Sequence, residues 1–144
     1  MITPQSITDK NRVLVDTDVL SFLPKGDTRA TFFKPYLIHK SVAISFITVA
    51  ELYYWAYVKS WGQNRITDLE TRIKNYVVLP YDYSLCQRWA KIRAECETKG
   101  HPIHDDNDCW IASTALTYDC ALATNNGRHF KYIEELTLIS PGLI

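Results

Sequence analysis

Four side chains with oxygen donors stand directly after short apolar segments or at the beginning of a helical pattern. In chain order they are Asp16, Glu51, Asp108 and Asn126. A carboxylate set against buried apolar segments is costly unless a positive charge neutralises it. Lys and Arg are absent from the four segments that carry these residues, 13–20, 44–52, 105–112 and 122–126. A hard divalent cation with oxygen ligands, Mg²⁺ or Mn²⁺, is the simplest missing partner, which indicates metal-dependent chemistry on phosphate.

Each of these acids has a simpler alternative role as a helix cap. Thr48 and Glu51 have the spacing of a capping box, in which Glu51 would only accept the first amide of a helix. Asp105 and Asp108 have the same spacing, and Asp18 could cap a helix that follows the first apolar segment. For any one of these residues, capping is at least as good an explanation as catalysis.

Two of the acids are placed differently from ordinary caps. Asp108 precedes the apolar positions 111, 112 and 115 by three, four and seven residues, so it lies on the buried stripe of its helix. Asp16 ends an all-apolar segment, which directs it into a crevice. Taken together, the acids favour a shared metal pocket over a coincidence of caps. Further residues that could support this pocket are Asp18, Asp105, Asp106, Thr17 and Thr48. The two threonine hydroxyls would do so by orienting carboxylates.

Short apolar strands alternate with helical patterns along the chain. Strands are predicted at 13–15, 42–46, 77–79, 121–123 and 136–139. Apolar residues recur at helical spacing in 28–39, 49–57, 66–73, 85–96 and 111–116. This alternation predicts an α/β fold with three layers, in which helices cover both faces of a mostly parallel, five-stranded sheet. Ligands bind beyond the carboxyl ends of the strands in such sheets, where Asp16 and Asn126 fall.

Composition excludes a broad electrostatic attraction to nucleic acid. Sixteen basic and sixteen acidic residues give a formal net charge of zero, so no large positive field surrounds the chain. A substrate that carries phosphate would be held locally, by metal and a few cations. Arg128, His129 and Lys131, just after the fourth predicted strand, are candidates for this contact, although a solvated loop explains them equally well.

The chain has the size and the cysteine pattern of one domain from a reducing compartment. Its 144 residues are 47% hydrophobic, which suits a single core at 12–144 after a polar tail at 1–11. The four cysteines contain no Cys-x-x-Cys pair, and neither a signal peptide nor an apolar run of membrane length is present. Reduced thiols in a cytoplasmic protein are therefore expected.

Four sequence blocks carry a resemblance to a known family. They are Asp-Thr-Asp-Val-Leu at 16–20, Ser-Phe-Ile-Thr-Val-Ala-Glu-Leu at 45–52, Gly-His-Pro-Ile at 100–103 followed by Asp-Cys-Trp-Ile-Ala at 108–112, and Leu-Ala-Thr-Asn-Asn-Gly-Arg-His-Phe at 122–130. In order and spacing these blocks resemble PIN-domain ribonucleases, above all the VapC-like toxins of bacterial toxin–antitoxin pairs. The resemblance extends over 13–139.

The resemblance implies a function and a set of metal ligands. It implies an endoribonuclease that hydrolyses RNA phosphodiester bonds with one or two Mg²⁺ or Mn²⁺ ions, and an antitoxin as partner. Asp16 and Asp108 would bind metal directly, and Glu51 directly or through water. Asn126 takes a position where many members have Asp, which removes one negative charge. Asp18, where many relatives have Asn, restores one.

Two other classes of protein remain as alternatives. The segment Val-Leu-Val-Asp-Thr-Asp-Val at 13–19 also resembles the Asp-x-Asp opening of a haloacid-dehalogenase-type phosphatase, in which Asp16 would be the nucleophile and Asp18 the general acid. The second alternative is a non-catalytic interaction module with an incomplete site. A zinc site formed by His101, His104, Asp105 and Cys109 is disfavoured because the spacing matches no usual pattern.

The helical segment 49–57 and the residues after it carry more aromatic residues than one core stripe requires. They are Tyr53, Tyr54, Trp55, Tyr57 and Trp61. Aromatic side chains in excess of the core are enriched at protein interfaces. We therefore expect this face to be buried in a homodimer or beneath a partner segment.

Overall fold

A computed structural model describes residues 10–142, so most of the predicted tail lies outside the described residues. In this range five strands and six α-helices are present. Their bounds are β1 (Arg12–Val15), α1 (Thr17–Phe22), α2 (Thr28–Leu37), β2 (Ser41–Ser45), α3 (Phe46–Val58), α4 (Gln63–Ile73), β3 (Val77–Leu79), α5 (Tyr83–Thr98), α6 (Asp106–Thr117), β4 (Ala121–Ala123) and β5 (Leu138–Ile139). Short 3-10 turns occupy Leu23–Lys25 and Gly127–His129.

The five strands form one parallel sheet in the order β3-β2-β1-β4-β5. From β1 the chain builds outward through β2 to β3, then returns to the other side of β1 with β4 and β5. The strand order therefore reverses between β1 and β4, and a crevice opens there beyond the carboxyl ends of the strands. The predicted five-stranded parallel sheet is confirmed.

Helices cover both faces of this sheet. Successive residues of β1 point to opposite faces: Val13 and Val15 pack in one core with Phe33 of α2, while Leu14 packs in another with Ile111 of α6. All three β1 residues are fully buried, as expected for a parallel strand covered on both sides. The predicted three-layer arrangement is confirmed. No helix in the range 10–142 is long and apolar enough to cross a membrane.

Several element boundaries differ from the sequence prediction by a few residues, and two of these differences have a local cause. The helix predicted at 28–39 ends at Leu37, because Pro35 has no amide hydrogen for the helical ladder and weakens the last turn. The strand predicted at 136–139 contains only Leu138–Ile139. The amide of Leu136 donates to the carbonyl of Ile133 in a turn, so the chain joins the sheet only after that turn.

Candidate active site

Asp16 lies at the reversal of strand order, beside the end of β4. Because Val15 pairs with Ala123, the residues that follow them, Asp16 and Thr124, are neighbours. The hydroxyl of Thr124 donates to Asp16 Oδ2 at 2.7 Å, and the amide of Thr17 donates to Asp16 Oδ1 at 2.8 Å. Asp16 is also the N-cap of α1. Its carboxylate is fixed on both oxygens, and the residue is only 6% exposed.

Glu51 does not cap its helix. Helix α3 begins at Phe46, and its N-cap is Ser45, whose side chain accepts the amide of Thr48 at 3.2 Å. Glu51 therefore lies in the second turn, and the capping-box alternative is wrong. Instead, Thr17 Oγ1 donates to Glu51 Oε1 at 2.8 Å.

A chain of hydroxyl groups holds Glu51 from behind. Ser45 Oγ lies 3.3 Å from Thr48 Oγ1, which lies 2.9 Å from Thr17 Oγ1. Each hydroxyl has one proton, and an ionised carboxylate only accepts. The protons must therefore run in one direction, from Ser45 through Thr48 and Thr17 to Glu51. These hydrogen bonds fix the orientation of the Glu51 side chain, which faces the crevice.

The first turn of α6 contributes acids to two different places. Asp105 is the N-cap and accepts the amide of Asn107 at 2.8 Å. Asp108 Oδ2 lies 2.9 Å from His129 Nδ1. Asp106, by contrast, forms an ion pair with Arg93 of α5, and its side chain is mostly exposed. Of the predicted accessory acids, Asp106 is the one that the structure does not bring to the cluster.

Asn126 and Asp18 meet at the edge of the crevice. Asn126 Nδ2 donates to Asp18 Oδ2 at 3.1 Å, and the amide of Asn126 donates to Thr124 Oγ1 at 3.0 Å. Asp18 Oδ1 accepts the amide of Val19 at 2.7 Å. Thr124 thus positions both Asp16 and Asn126, one through its proton and the other through its lone pair.

The carboxyl groups in this crevice raise one another's pKa. Burial raises the pKa of Asp18 to about 6, and the charge of Asp16 adds to this. Burial raises the pKa of Asp108 to about 6 as well, with the charges of Asp105 and Asp16 adding. The pKa values of Asp16 and Glu51 are also raised, mainly by burial. We name Asp16, Asp18, Glu51 and Asp108 the acidic cluster. Keeping all four carboxyl groups ionised near neutral pH is therefore electrostatically unfavourable.

The donor set suits a hard cation that keeps part of its water. The acidic cluster offers only oxygen ligands, which Mg²⁺ and Mn²⁺ prefer. Among residues 10–142 no three His, Cys, Asp or Glu side chains are grouped closely enough to enclose an ion as they stand. One or two of these carboxylates would hold such an ion, and water would complete its coordination, as is usual for Mg²⁺.

The zinc alternative has no support in the described part of the chain. Burial raises the pKa of the Cys109 thiol to about 11, whereas zinc binds the thiolate. Cys109 Sγ lies 3.7 Å from the carbonyl of Trp89, and His101 stacks on Tyr132. His104 and Asp105 line a groove next to the acidic cluster instead.

The predicted RNA contacts divide into two groups. Arg128 and His129 belong to the 3-10 turn after β4 and line the groove beside Asp108. The amine of Lys131 lies 5.1 Å from the centre of the Tyr132 ring. The turn therefore carries two of the candidates to the edge of the cluster, while Lys131 lies against an aromatic side chain.

Sequence reasoning missed two residues that position the acids. Thr124 was not singled out, although a polar residue that ends an apolar strand beside the strand of Asp16 is a usable signal. Asn107, whose side chain bonds Glu51, stands in a helix turn where it looked like an ordinary polar residue. Its role depends on how α3 and α6 approach each other, which no local pattern shows.

Comparisons with known proteins agree on one family. A family model described as PIN domain matches residues 13–136. Ribonuclease VapC1 of Haemophilus influenzae strain R2866 is 29% identical over 125 residues, covering 85% of this chain and 92% of that protein. Ribonuclease VapC2 of Haemophilus influenzae strain Rd is 32% identical over 122 residues with the same coverage. The crystal structure of DNA-bound VapBC from Salmonella typhimurium has a TM-score of 0.76 at 29% identity, covering 90% of this chain and 97% of that one.

Proposed function

Because this chain belongs to the PIN-domain family, we propose that it is an endoribonuclease that uses Mg²⁺ or Mn²⁺ to hydrolyse RNA phosphodiester bonds. The observation that carries the proposal is the acidic cluster itself. Its hydrogen-bond partners in the structure are hydroxyls, amides and the imidazole of His129. A bound divalent cation supplies the neutralising charge, activates a water and stabilises charge on phosphate oxygens.

The residues around the cluster prepare it for this role by fixing each carboxylate. Thr124 and the amide of Thr17 hold Asp16, the hydroxyl chain holds Glu51, and His129 holds Asp108. Carboxylates that are oriented before the substrate arrives lose little freedom in the reaction. Asn126 offers a neutral amide at the same edge, which can position a phosphate oxygen.

Replacement of Asp16 by Asn tests the proposal. Asn is a good helix N-cap, so α1 should form, while the charge needed for metal is lost. We expect Mg²⁺-dependent cleavage of RNA to fall by at least about 100-fold, as it should in wild-type protein with EDTA. Circular dichroism should remain unchanged, and in metal-free buffer the melting temperature should rise because carboxylate repulsion is relieved.

Asp82→Asn is the matched control, because Asp82 is the N-cap of α5 and not part of the cluster. Its activity should equal that of the wild type. Wild-type activity in Asp16→Asn would refute the assignment of Asp16.

We also propose that the protein is a toxin neutralised by a cognate antitoxin, that it forms a homodimer and that it acts in the cytoplasm. Support comes from the solved relatives, which are VapBC complexes. Further support comes from the exposed aromatic face of α3, where Tyr54 is 64% and Tyr57 is 69% exposed. All four cysteines are free, as a reducing compartment requires.

Membership of the PIN-domain family affects the two alternative classes of protein differently. The phosphatase alternative depended on the Asp-x-Asp pattern at 16–18, and membership of the PIN-domain family removes its basis. The interaction module predicts no divalent-cation binding. Calorimetric titration of wild-type protein with Mn²⁺ separates it from the nuclease, because an empty titration would favour the module.

A further inference from the structure

A groove of about 350 Å³ lies beside the acidic cluster. Asp105 and Asp108, from the beginning of α6, form the side that it shares with the cluster. The rest of its lining comes from Cys96 of α5, from the loop before α6 and from segment 128–133. A molecule bound at the cluster can therefore extend into the groove without leaving the protein surface. We call this the base groove.

The base groove combines an apolar floor with a flat aromatic wall. Cys96, Ile103 and Ile133 line it and are at most 8% exposed. His101 and Tyr132 stack against each other, with ring centroids 3.6 Å apart and planes within 2°. Each ring covers one face of the other, and Lys131 lies over the Tyr132 ring. The outer face of His101, an exposed residue, is therefore the face that is open to a ligand. Flat stacked rings above an apolar floor suit a flat aromatic ligand such as a nucleobase.

The base groove also contains a cation without a protein partner. The other six arginines each bond a carboxylate or a carbonyl or lie over an aromatic ring; they are Arg12, Arg29, Arg65, Arg72, Arg88 and Arg93. Within residues 10–142, the guanidinium of Arg128 makes no such contact, although it lines the groove. A free guanidinium is well suited to bind phosphate through two hydrogen bonds.

We propose that the base groove binds one nucleotide of a single-stranded RNA next to the bond that is cut. The base would lie against the His101–Tyr132 pair and a phosphate would contact Arg128. This inference rests on the proposed ribonuclease function and adds the residues that receive the nucleotide next to the cleaved bond. An unpaired base can enter such a groove without the cost of breaking a base pair. Stacking tolerates every base, so the groove selects strandedness rather than sequence.

The test uses a short single-stranded RNA that the wild type cleaves. A series of the same RNA carries one abasic ribose at each position around the cleaved bond. Tyr132→Leu and Arg128→Gln remove the aromatic wall and the cation, and His101→Ala and Tyr132→Phe are companion variants. Matched controls are Tyr83→Leu, because Tyr83 is 91% exposed, and Arg65→Gln, on a helix that packs on the opposite face of the sheet.

Cleavage kinetics should show a loss of binding rather than of chemistry. We expect Tyr132→Leu and His101→Ala to raise KM roughly 5- to 100-fold with little change in kcat, and Tyr132→Phe to behave like the wild type. One abasic position should cost the wild type a similar factor and cost Tyr132→Leu nothing more, because both changes remove the same contact. Arg128→Gln should weaken binding at every base sequence.

Binding in EDTA, measured by fluorescence anisotropy, separates the failure of the two proposals. If the wild type binds RNA and Tyr132→Leu binds it more weakly, but the wild type cleaves no RNA at any Mg²⁺ concentration, the nuclease is refuted and the base groove is kept. RNA cleavage and binding that are indifferent to Tyr132→Leu and His101→Ala would refute the base groove and keep the nuclease. The base groove would also be refuted if the losses from Tyr132→Leu and from an abasic ribose added at every position. The same holds if Tyr132→Leu weakened the binding of a fully paired duplex as much as that of the single strand.

Discussion

At the scale of single residues, Thr124 serves two partners with one hydroxyl group. It donates to Asp16 Oδ2 and accepts from the amide of Asn126. The side chain is fully buried, so neither bond can be replaced easily by water. Groups that orient the acids of such a site affect activity almost as strongly as the acids themselves.

We predict that Thr124→Val lowers kcat roughly 10- to 100-fold. It should also lower the free energy of unfolding by about 1–3 kcal/mol, because the Asp16 carboxylate loses a buried donor. Thr124→Ser keeps the hydroxyl and should retain most of the activity. RNA cleavage rates and urea unfolding of both variants check this expectation, and equal activity of the Val and Ser variants would contradict it.

The carboxyl groups of Asp18 and Asp108 make stability depend on pH. In the folded protein their pKa is about 6, against an ordinary value of 3.8. Between about pH 4 and 6 the folded state therefore holds more protons than the unfolded state. By linkage, the free energy of unfolding falls as pH rises through this window. The opposite case is Asp27, whose pKa is lowered to about 2 by Arg29, so its contribution is lost only below pH 4.

We predict that metal-free protein loses on the order of 2 kcal/mol of unfolding free energy between pH 4.5 and pH 7, allowing for solvent screening. Mg²⁺ should reverse the loss, because it binds the ionised carboxylates and not the protonated ones. The increase in melting temperature caused by Mg²⁺ should therefore be larger at pH 7 than at pH 5. Thermal scans with EDTA and with Mg²⁺ at both pH values measure this, and Asp108→Asn should flatten the profile.

At the scale of elements, the beginning of α3 decides what Glu51 can do. Ser45 and Thr48 satisfy the first turn of the helix between them, so Glu51 has no capping bond to lose. Its carboxylate belongs to the crevice, where burial raises its pKa.

We predict that Glu51→Gln abolishes most of the RNA cleavage and leaves the free energy of unfolding unchanged or slightly higher. The reason is that Gln keeps the acceptor for Thr17 and removes a charge from the acidic cluster. Ser45→Ala, by contrast, should lower the free energy of unfolding by about 1 kcal/mol, because the N-cap of α3 is lost. Glu97→Gln on α5 is the matched control. An active Glu51→Gln protein would show that Glu51 has no part in metal binding.

The strands could be predicted from the sequence, and the start of α3 could not. A strand such as β1, buried on both faces, is a short run of apolar residues with few alternatives. At the start of α3, by contrast, Ser45 and Thr48 are spaced like Thr48 and Glu51, so one pattern fits two starting points. Only the packing of α3 on the sheet selects Ser45.

The same limit applies to the acids of α6. Asp105 and Asp106 are neighbours in sequence and looked equivalent. One step along a helix turns the side chain by about 100°, and this step carries Asp106 to Arg93. Sequence could identify the acidic segment, but the direction of each side chain depends on how α6 packs against α5.

At the scale of the whole molecule, residues 10–142 leave one face of α3 exposed. Tyr54 and Tyr57 are 64% and 69% exposed, and Val58 beside them is 63% exposed. Neighbouring exposed apolar side chains of this size mark interaction surfaces.

We predict that light scattering shows a dimer and that the double variant Tyr54→Ser, Tyr57→Ser weakens dimerisation or antitoxin binding. Mn²⁺ affinity should not change, because both side chains lie outside the acidic cluster. Tyr83→Ser, at an isolated exposed tyrosine, is the control. A strictly monomeric wild type whose antitoxin binding ignores both substitutions would show that this face is not an interface.

The bond between Asp16 and Thr124 joins residues that are 108 positions apart in the chain. During synthesis on the ribosome, three of the four residues of the acidic cluster emerge long before α6 and β4 exist. Until β4 has left the exit tunnel and paired with β1, Asp16 lacks its hydroxyl donor and Asp108 lacks His129. If the protein is the proposed ribonuclease, we therefore expect a nascent or truncated chain to leave the RNA of its ribosome intact. For a protein proposed to cut RNA, the order of strands in the sheet thus delays completion of the active site until translation has passed the fourth strand.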